Sequence, residues 1–152
     1  MATTRNDNAR PPIGTEYRAV DEKGRLMIPA RWRVGLGREL YVVPSTQGGL
    51  FLLSKTQFEE LRRARSDIEA SEEEKEDFIR YLEYNSELAA LDGQGRINLN
   101  EALLHRGSIS TGAEVVLKLR RRGIEVFNKQ RWSQVQESHR PAFDKVGRKY
   151  GL

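Results

Sequence analysis

The side chains best suited to chemistry in this chain are two arginines held at matching places. Arg25 follows Asp21-Glu22-Lys23-Gly24, and Arg96 follows Asp92-Gly93-Gln94-Gly95. An arginine fork bonds a phosphate, or the O6 and N7 of guanine, through two parallel contacts. A guanidinium aimed outward from a stiff turn therefore suits nucleic acid at little ordering cost. Lys23 and Gln94 sit inside the same turns and belong to the same candidate surface. Each turn also carries an aspartate, so Asp21 with Arg25, and Asp92 with Arg96, can form local ion pairs that only stabilise the turn. The two roles are compatible.

Other chemistries are poorly served. His105 and His139 are isolated from each other and from any ligand cluster, and the chain has no cysteine, which excludes disulfides and thiolate zinc sites. Gly35-Leu36-Gly37 lacks the preceding strand and third glycine of a dinucleotide loop, and no serine sits in a nucleophile elbow. Neither an enzyme nor a bound cofactor or metal is expected.

The elements that must position the arginines are legible around them. Aspartate suits the first position of a type I turn and glycine the last. After the first turn, period-two alternation puts Leu26 and Ile28 on one strand face and Arg25 and Met27 on the other. The whole pattern occurs twice, with Asp92 repeating Asp21 at an offset of 71 (92 minus 21). The copy extends further: Gly49-Leu50-Phe51-Leu52-Leu53-Ser54-Lys55, then Phe58, matches Gly123-Ile124-Glu125-Val126-Phe127-Asn128-Lys129, then Trp132, at an offset of 74 (123 minus 49). Units of roughly fifty residues bury too little surface to stand alone, so two halves of one pseudo-symmetric body are expected.

Around these halves the chain divides into a polar tail over residues 1–13, a first repeat over 14–66, an acidic helical connector over 67–85, a second repeat over 86–135 and a loose basic tail over 136–152. Ser54-Lys55-Thr56-Gln57 and Ser71-Glu72-Glu73-Glu74 both fit capping boxes, and Asn100 and Asn128 are placed to cap helices. Phe58, Leu61 and Arg65 recur at helical spacing, as do Phe78, Ile79 and Leu82. Net charge is +4, yet residues 59–77 hold nine acids against four bases, leaving +9 for the remainder. A basic body with one acidic insert suits a polyanion on one face. The run Arg120-Arg121-Arg122 reads better as a solvated hairpin tip than as a second nucleic-acid site. Phe51, Phe58, Phe127 and Trp132 read better as core than as stacking platforms. Residues 1–12 have no apolar run of the signal-peptide kind, and a soluble, cytosolic protein is expected.

With both turns in place, the sequence resembles the MraZ family of bacterial transcriptional regulators, relatives of the AbrB and SpoVT DNA-binding proteins. The likeness is carried by residues 21–33, 49–53 and 58–61 in the first half, and by 92–97 and 124–132 in the second. It implies a mainly β fold with short helices (α+β): a swapped-hairpin β-barrel in which two tandem repeats stand for two chains. It also implies a ring-like homo-oligomer that binds double-stranded promoter DNA of cell-division and cell-wall genes in the cytoplasm, at the nucleoid; because the two halves are unlike, neighbours in such a ring are expected to meet head to tail. Carried over residue by residue, the pattern adds Arg18, Arg31 and Arg33 to the DNA-binding set of Lys23, Arg25, Gln94 and Arg96. The second half departs from it after the strand, where Asn98 to His105 has neither the proline nor the arginine. That half is expected to contribute less to binding. The alternative reading is a ring-forming interaction scaffold that has lost specific DNA readout.

Overall fold

Short apolar runs broken by glycine-bearing turns build eight strands among the described residues, and four marked caps open helices between and after them. The computed structural model describes residues 13–63 and 68–152. Nearly all of the expected N-terminal tail, and Arg65 of the helical pattern, lie outside the described residues. In chain order the elements are β1 (Thr15–Ala19), β2 (Arg25–Met27), α1 (Ala30–Arg33), β3 (Glu39–Pro44), β4 (Leu50–Ser54), α2 (Lys55–Arg63), α3 (Glu72–Asn85), β5 (Glu87–Ala90), β6 (Arg96–Asn98), α4 (Glu101–Arg106), β7 (Glu114–Arg120), β8 (Gly123–Asn128) and α5 (Lys129–Lys149). The class is α+β, with a core built on the strands and helices around it.

Six strands form one antiparallel sheet in the order β1-β7-β8-β4-β3-β5, and β2 pairs with β6 in a separate ladder. The exchange is reciprocal: β1 pairs with β7 of the second half, and β5 of the second half pairs with β3 of the first. Register follows the two sequence offsets. Leu26 faces Ile97 at the first of them, and Phe51 faces Glu125 at the second. The backbone N–H of Ile28 donates to the carbonyl of Gly95 at 3.0 Å, and that of Leu99 donates to the carbonyl of Gly24 at 2.8 Å.

The closed barrel implied by the resemblance is not what the ladder forms. The six-stranded sheet ends at β1 and β5 and does not close. The reason is local. β2 and β6 are three residues each, bounded by an aspartate turn on one side and a short helix on the other, so they pair with each other and do not extend the sheet.

Leu26, Ile28, Ile97 and Leu99 are buried under this small ladder, against Leu40, Leu52, Val115 and Leu117 of the large sheet. Each such side chain contributes about 1.5–3 kcal/mol through burial. A second cluster joins Val43, Leu53, Phe58 and Leu82, with the Tyr41 and Phe58 rings stacked at 3.9 Å. Both expected capping boxes form: Gln57 N–H donates to Ser54 Oγ while Ser54 N–H donates to Gln57 Oε1, and Ser71 pairs with Glu74 likewise. Phe58 and Phe127 lie in the core, as expected for aromatics in those places, and Phe51 and Trp132 are half-buried.

The loose tail expected over 136–152 is instead helical. Asn128 Oδ1 accepts from the N–H of Arg131, and α5 then runs to Lys149 through Pro141. The capped start of the helix, with Val135 buried, is as expected; beyond it only Gly147 is buried, so residues 136–149 show no core-facing stripe from which to read them.

Candidate nucleic-acid interface

Each aspartate turn is closed by the same set of bonds. In the first, Asp21 Oδ1 accepts from the N–H of Lys23 (2.9 Å) and of Arg25 (2.8 Å), Oδ2 accepts from Arg25 Nε (2.7 Å), and the Asp21 carbonyl accepts from the N–H of Gly24 (3.0 Å). In the second, Asp92 Oδ1 accepts from the N–H of Gln94 (2.8 Å) and of Arg96 (3.0 Å), and Oδ2 from Arg96 Nε (2.8 Å). Gly24 and Gly95 take φ of +80° and +81°, the left-handed region that the turn requires and glycine adopts freely. The bonds hold both carboxyls below their ordinary value. The arginine backbone N–H lowers each most, partial burial acts the other way, and the arginine side chain adds to the lowering.

The local ion pair is therefore present in both turns, and it leaves each guanidinium usable. Only Nε is engaged; among the described residues the Nη atoms of Arg25 and Arg96 carry no hydrogen bond. Their side chains are 33% and 24% exposed. Because Leu26 and Ile97 point into the core, alternation turns Arg25, Met27, Arg96 and Asn98 to the opposite, outer face of the β2–β6 ladder. Both turns thus frame one partly exposed surface. Lys23 and Gln94 lie at its two turns, both exposed.

The remaining residues expected at the site fall into two groups. Arg18 Nη1 donates to the carbonyl of Tyr17 (2.8 Å) and to Glu16 Oε2 (3.2 Å), while Arg31 pairs with the other oxygen of Glu16 and lies over the Trp32 ring, 5.8 Å from its centroid. These two cations share one carboxylate between β1 and α1. Arg33 behaves differently. Its Nε donates to the carbonyl of Ile28 (2.7 Å), its Nη2 lies 3.1 Å from Met27 Sδ, and its guanidinium covers Gly95, where an added Cβ would collide with Cζ. The arginine of the first half has crossed to the turn of the second.

Nothing local in the sequence marks Glu16 as a clamp or sets Arg33 against Gly95. The second contact follows only once β2 is known to pair with β6, and the constant offset between the two copies is the signal that points there. The Arg120-Arg121-Arg122 tip is divided. Arg121 and Arg122 are exposed, while Arg120 Nε donates to Glu125 Oε1 at 2.7 Å. Among the described residues no group of three or more His, Cys, Asp or Glu is placed to hold a metal ion, and no helix is long and apolar enough to cross a membrane.

Residues 13–81, which hold the first turn, its strand and the arginines of α1, match the family model described as "MraZ protein, putative antitoxin-like". A protein of Mycobacterium avium named "Transcriptional regulator MraZ" is 30% identical over 131 residues, 86% of this chain and 90% of that protein. This chain belongs to the MraZ family. The MraZ proteins of Mycobacterium leprae (30% identical, 86% of this chain and 90% of that one) and of Saccharopolyspora erythraea (28%, 84% and 87%) carry the same name. In each case the aligned length exceeds the first half, so the MraZ likeness takes in residues of both halves.

Proposed function

We propose that this chain is a sequence-specific, DNA-binding transcriptional regulator acting on a promoter of cell-division or cell-wall genes, and that it is cytoplasmic and nucleoid-associated. The observation that carries the reading is the pair of aspartate-fixed arginines, Arg25 and Arg96, on one outer face with their Nη atoms unengaged. Relatives named as transcriptional regulators support it. The fold reading that accompanies it is a swapped-hairpin body whose two tandem repeats stand for two chains, supported by the reciprocal registers. Lys23, Gln94, Arg18, Arg31 and Arg33 complete the contact set.

One chain neutralises few phosphates, and affinity rises with the number neutralised. Several copies in a head-to-tail ring would supply it, since unlike halves meet heterologously. Two unpartnered helix faces suit such a contact. On α3, Tyr81 and Tyr84 are exposed, with Leu88 just beyond, and the helix carries six acids against two bases. On α5, Phe143 and Val146 are exposed, with Tyr150 just beyond, and the helix carries six bases against two acids. Opposite charge around two apolar stripes fits α3 of one copy against α5 of the next.

The same α3 face favours a second reading, a ring-forming scaffold without specific DNA readout. A mobility shift separates them. The regulator shifts its own upstream promoter fragment, with affinity that falls steeply with salt and is weakened in Arg25→Ala. The scaffold gives equal, weak shifts for wild type and variant.

A further inference from the structure

The two turns are unlike because each is backed by a residue from the opposite half. Gly95 of the second turn lies under the Arg33 guanidinium, whereas Gly24 of the first lies against the Leu99 carbonyl, 2.6 Å from an added Cβ, with Asn98 Oδ1 (3.6 Å) and Leu104 Cδ1 (3.7 Å) at contact distance and no guanidinium over it. Leu104 occupies the place equivalent to Arg33, since 104 minus 33 equals 92 minus 21. The missing arginine of the second half is thus missing from the first turn.

Resting on the DNA-binding reading, we infer that the second turn is the principal phosphate contact, and that Arg33 both positions this turn and supplies its second guanidinium. Charge is the first reason. Asp21 and Glu22 cancel Lys23 and Arg25 at the first turn, and Asp92 cancels Arg96 at the second, where Arg33 then leaves one positive charge in excess. Geometry is the second. Arg33 Nε donates to the Ile28 carbonyl (2.7 Å), and the Ile28 N–H donates to the Gly95 carbonyl (3.0 Å). This closed path fixes the guanidinium against the turn before any ligand arrives, so binding has little side-chain freedom left to remove. Nη1 of Arg33 has no hydrogen bond among the described residues and faces no carboxylate by any ion pair found there. Leu104 offers the first turn only van der Waals contact. The ranking of the two halves therefore reverses the one that a repeat-by-repeat comparison of sequence suggests.

The test measures dissociation constants for the upstream promoter fragment across a potassium chloride series, using the full chain and the variants Arg33→Leu, Arg33→Lys, Leu104→Arg, Arg25→Ala and Arg96→Ala. Circular dichroism checks each fold. Arg33→Leu weakens binding about tenfold and lowers the slope of log affinity against log salt by about 0.9 for each such contact. Arg33→Lys keeps the slope but loses affinity with the fork, Leu104→Arg steepens the slope, and Arg96→Ala costs more than Arg25→Ala. Should Arg33→Leu unfold, Leu104→Arg and the two turn variants still decide. An unchanged slope in Leu104→Arg, or a larger loss in Arg25→Ala than in Arg96→Ala, overturns the inference while leaving DNA binding standing. A wild-type chain that shows no salt-dependent binding removes the DNA reading itself, and the inference with it.

Discussion

Leu26 and Ile97 face each other across the β2–β6 ladder, both fully buried, at the point where the two halves meet. Their position explains why a ladder of three residues a side can hold two turns rigidly, since its inner face is sealed into the core while its outer face carries the arginines. Replacing either by alanine removes contact that the ladder cannot recover by sliding. Leu26→Ala or Ile97→Ala should destabilise by about 2–5 kcal/mol in urea denaturation, whereas Val34→Ala, at an exposed position, should fall within about 0.5 kcal/mol of wild type.

Acid should loosen the turns in a defined direction. The folded Asp21 and Asp92 carboxyls lie below their ordinary value of 3.8, chiefly through the arginine backbone N–H. A depressed carboxyl contributes stability that is fully present above its unfolded value and is lost as pH falls through the folded one. Asp21→Asn and Asp92→Asn should therefore lower the thermal midpoint at neutral pH. That deficit should shrink steadily as pH is lowered below about 4, the ordinary carboxylate range. A deficit that is constant down to the acid limit would show that the carboxylate charge has no part in it.

The turns, the caps and most strands are legible because each has a local cause. Asp21 and Asp92 bond their own turns, and Ser54, Ser71, Asn100 and Asn128 bond their own helix starts. The rest depends on distant parts of the chain. The β1–β7 and β5–β3 pairings and the passage of Arg33 to Gly95 are contacts between halves, about which local pattern is silent. The continuation of α5 past its capped first turns is hidden for another reason: beyond Val135 only Gly147 is buried, so the polar sequence there resembles a tail.

Glu125 is a buried carboxylate that the proposed interface does not use. It is 4% exposed, lies opposite Phe51, accepts from Arg120 Nε at 2.7 Å and accepts from Ser45 Oγ, tying the β7–β8 tip to the loop before β4. Glu125→Ala leaves Ser45 without this partner and should cost about 1–3 kcal/mol in chemical denaturation. Arg121→Ala, at the exposed tip, should cost less than about 0.5 kcal/mol.

Assembly through α3 and α5 predicts that charge reversal breaks the contact and that compensating reversal restores it. Light scattering after size exclusion should give the wild type a mass several times 17.4 kDa. Lys145→Glu with Arg148→Glu should lower that mass, and adding Glu73→Lys with Glu76→Lys should recover it in part. A wild type that runs as a single chain at micromolar concentration would contradict the ring.

The salt dependence of promoter affinity for the wild type beside an Arg25→Ala/Arg96→Ala double variant bears most directly on the two outward-facing guanidiniums. Loss of two phosphate contacts per chain predicts a slope shallower by about 1.8 for each chain engaged, with affinity reduced to that for unrelated duplex. Equal slopes and equal affinities in the two proteins would contradict the role assigned to Arg25 and Arg96.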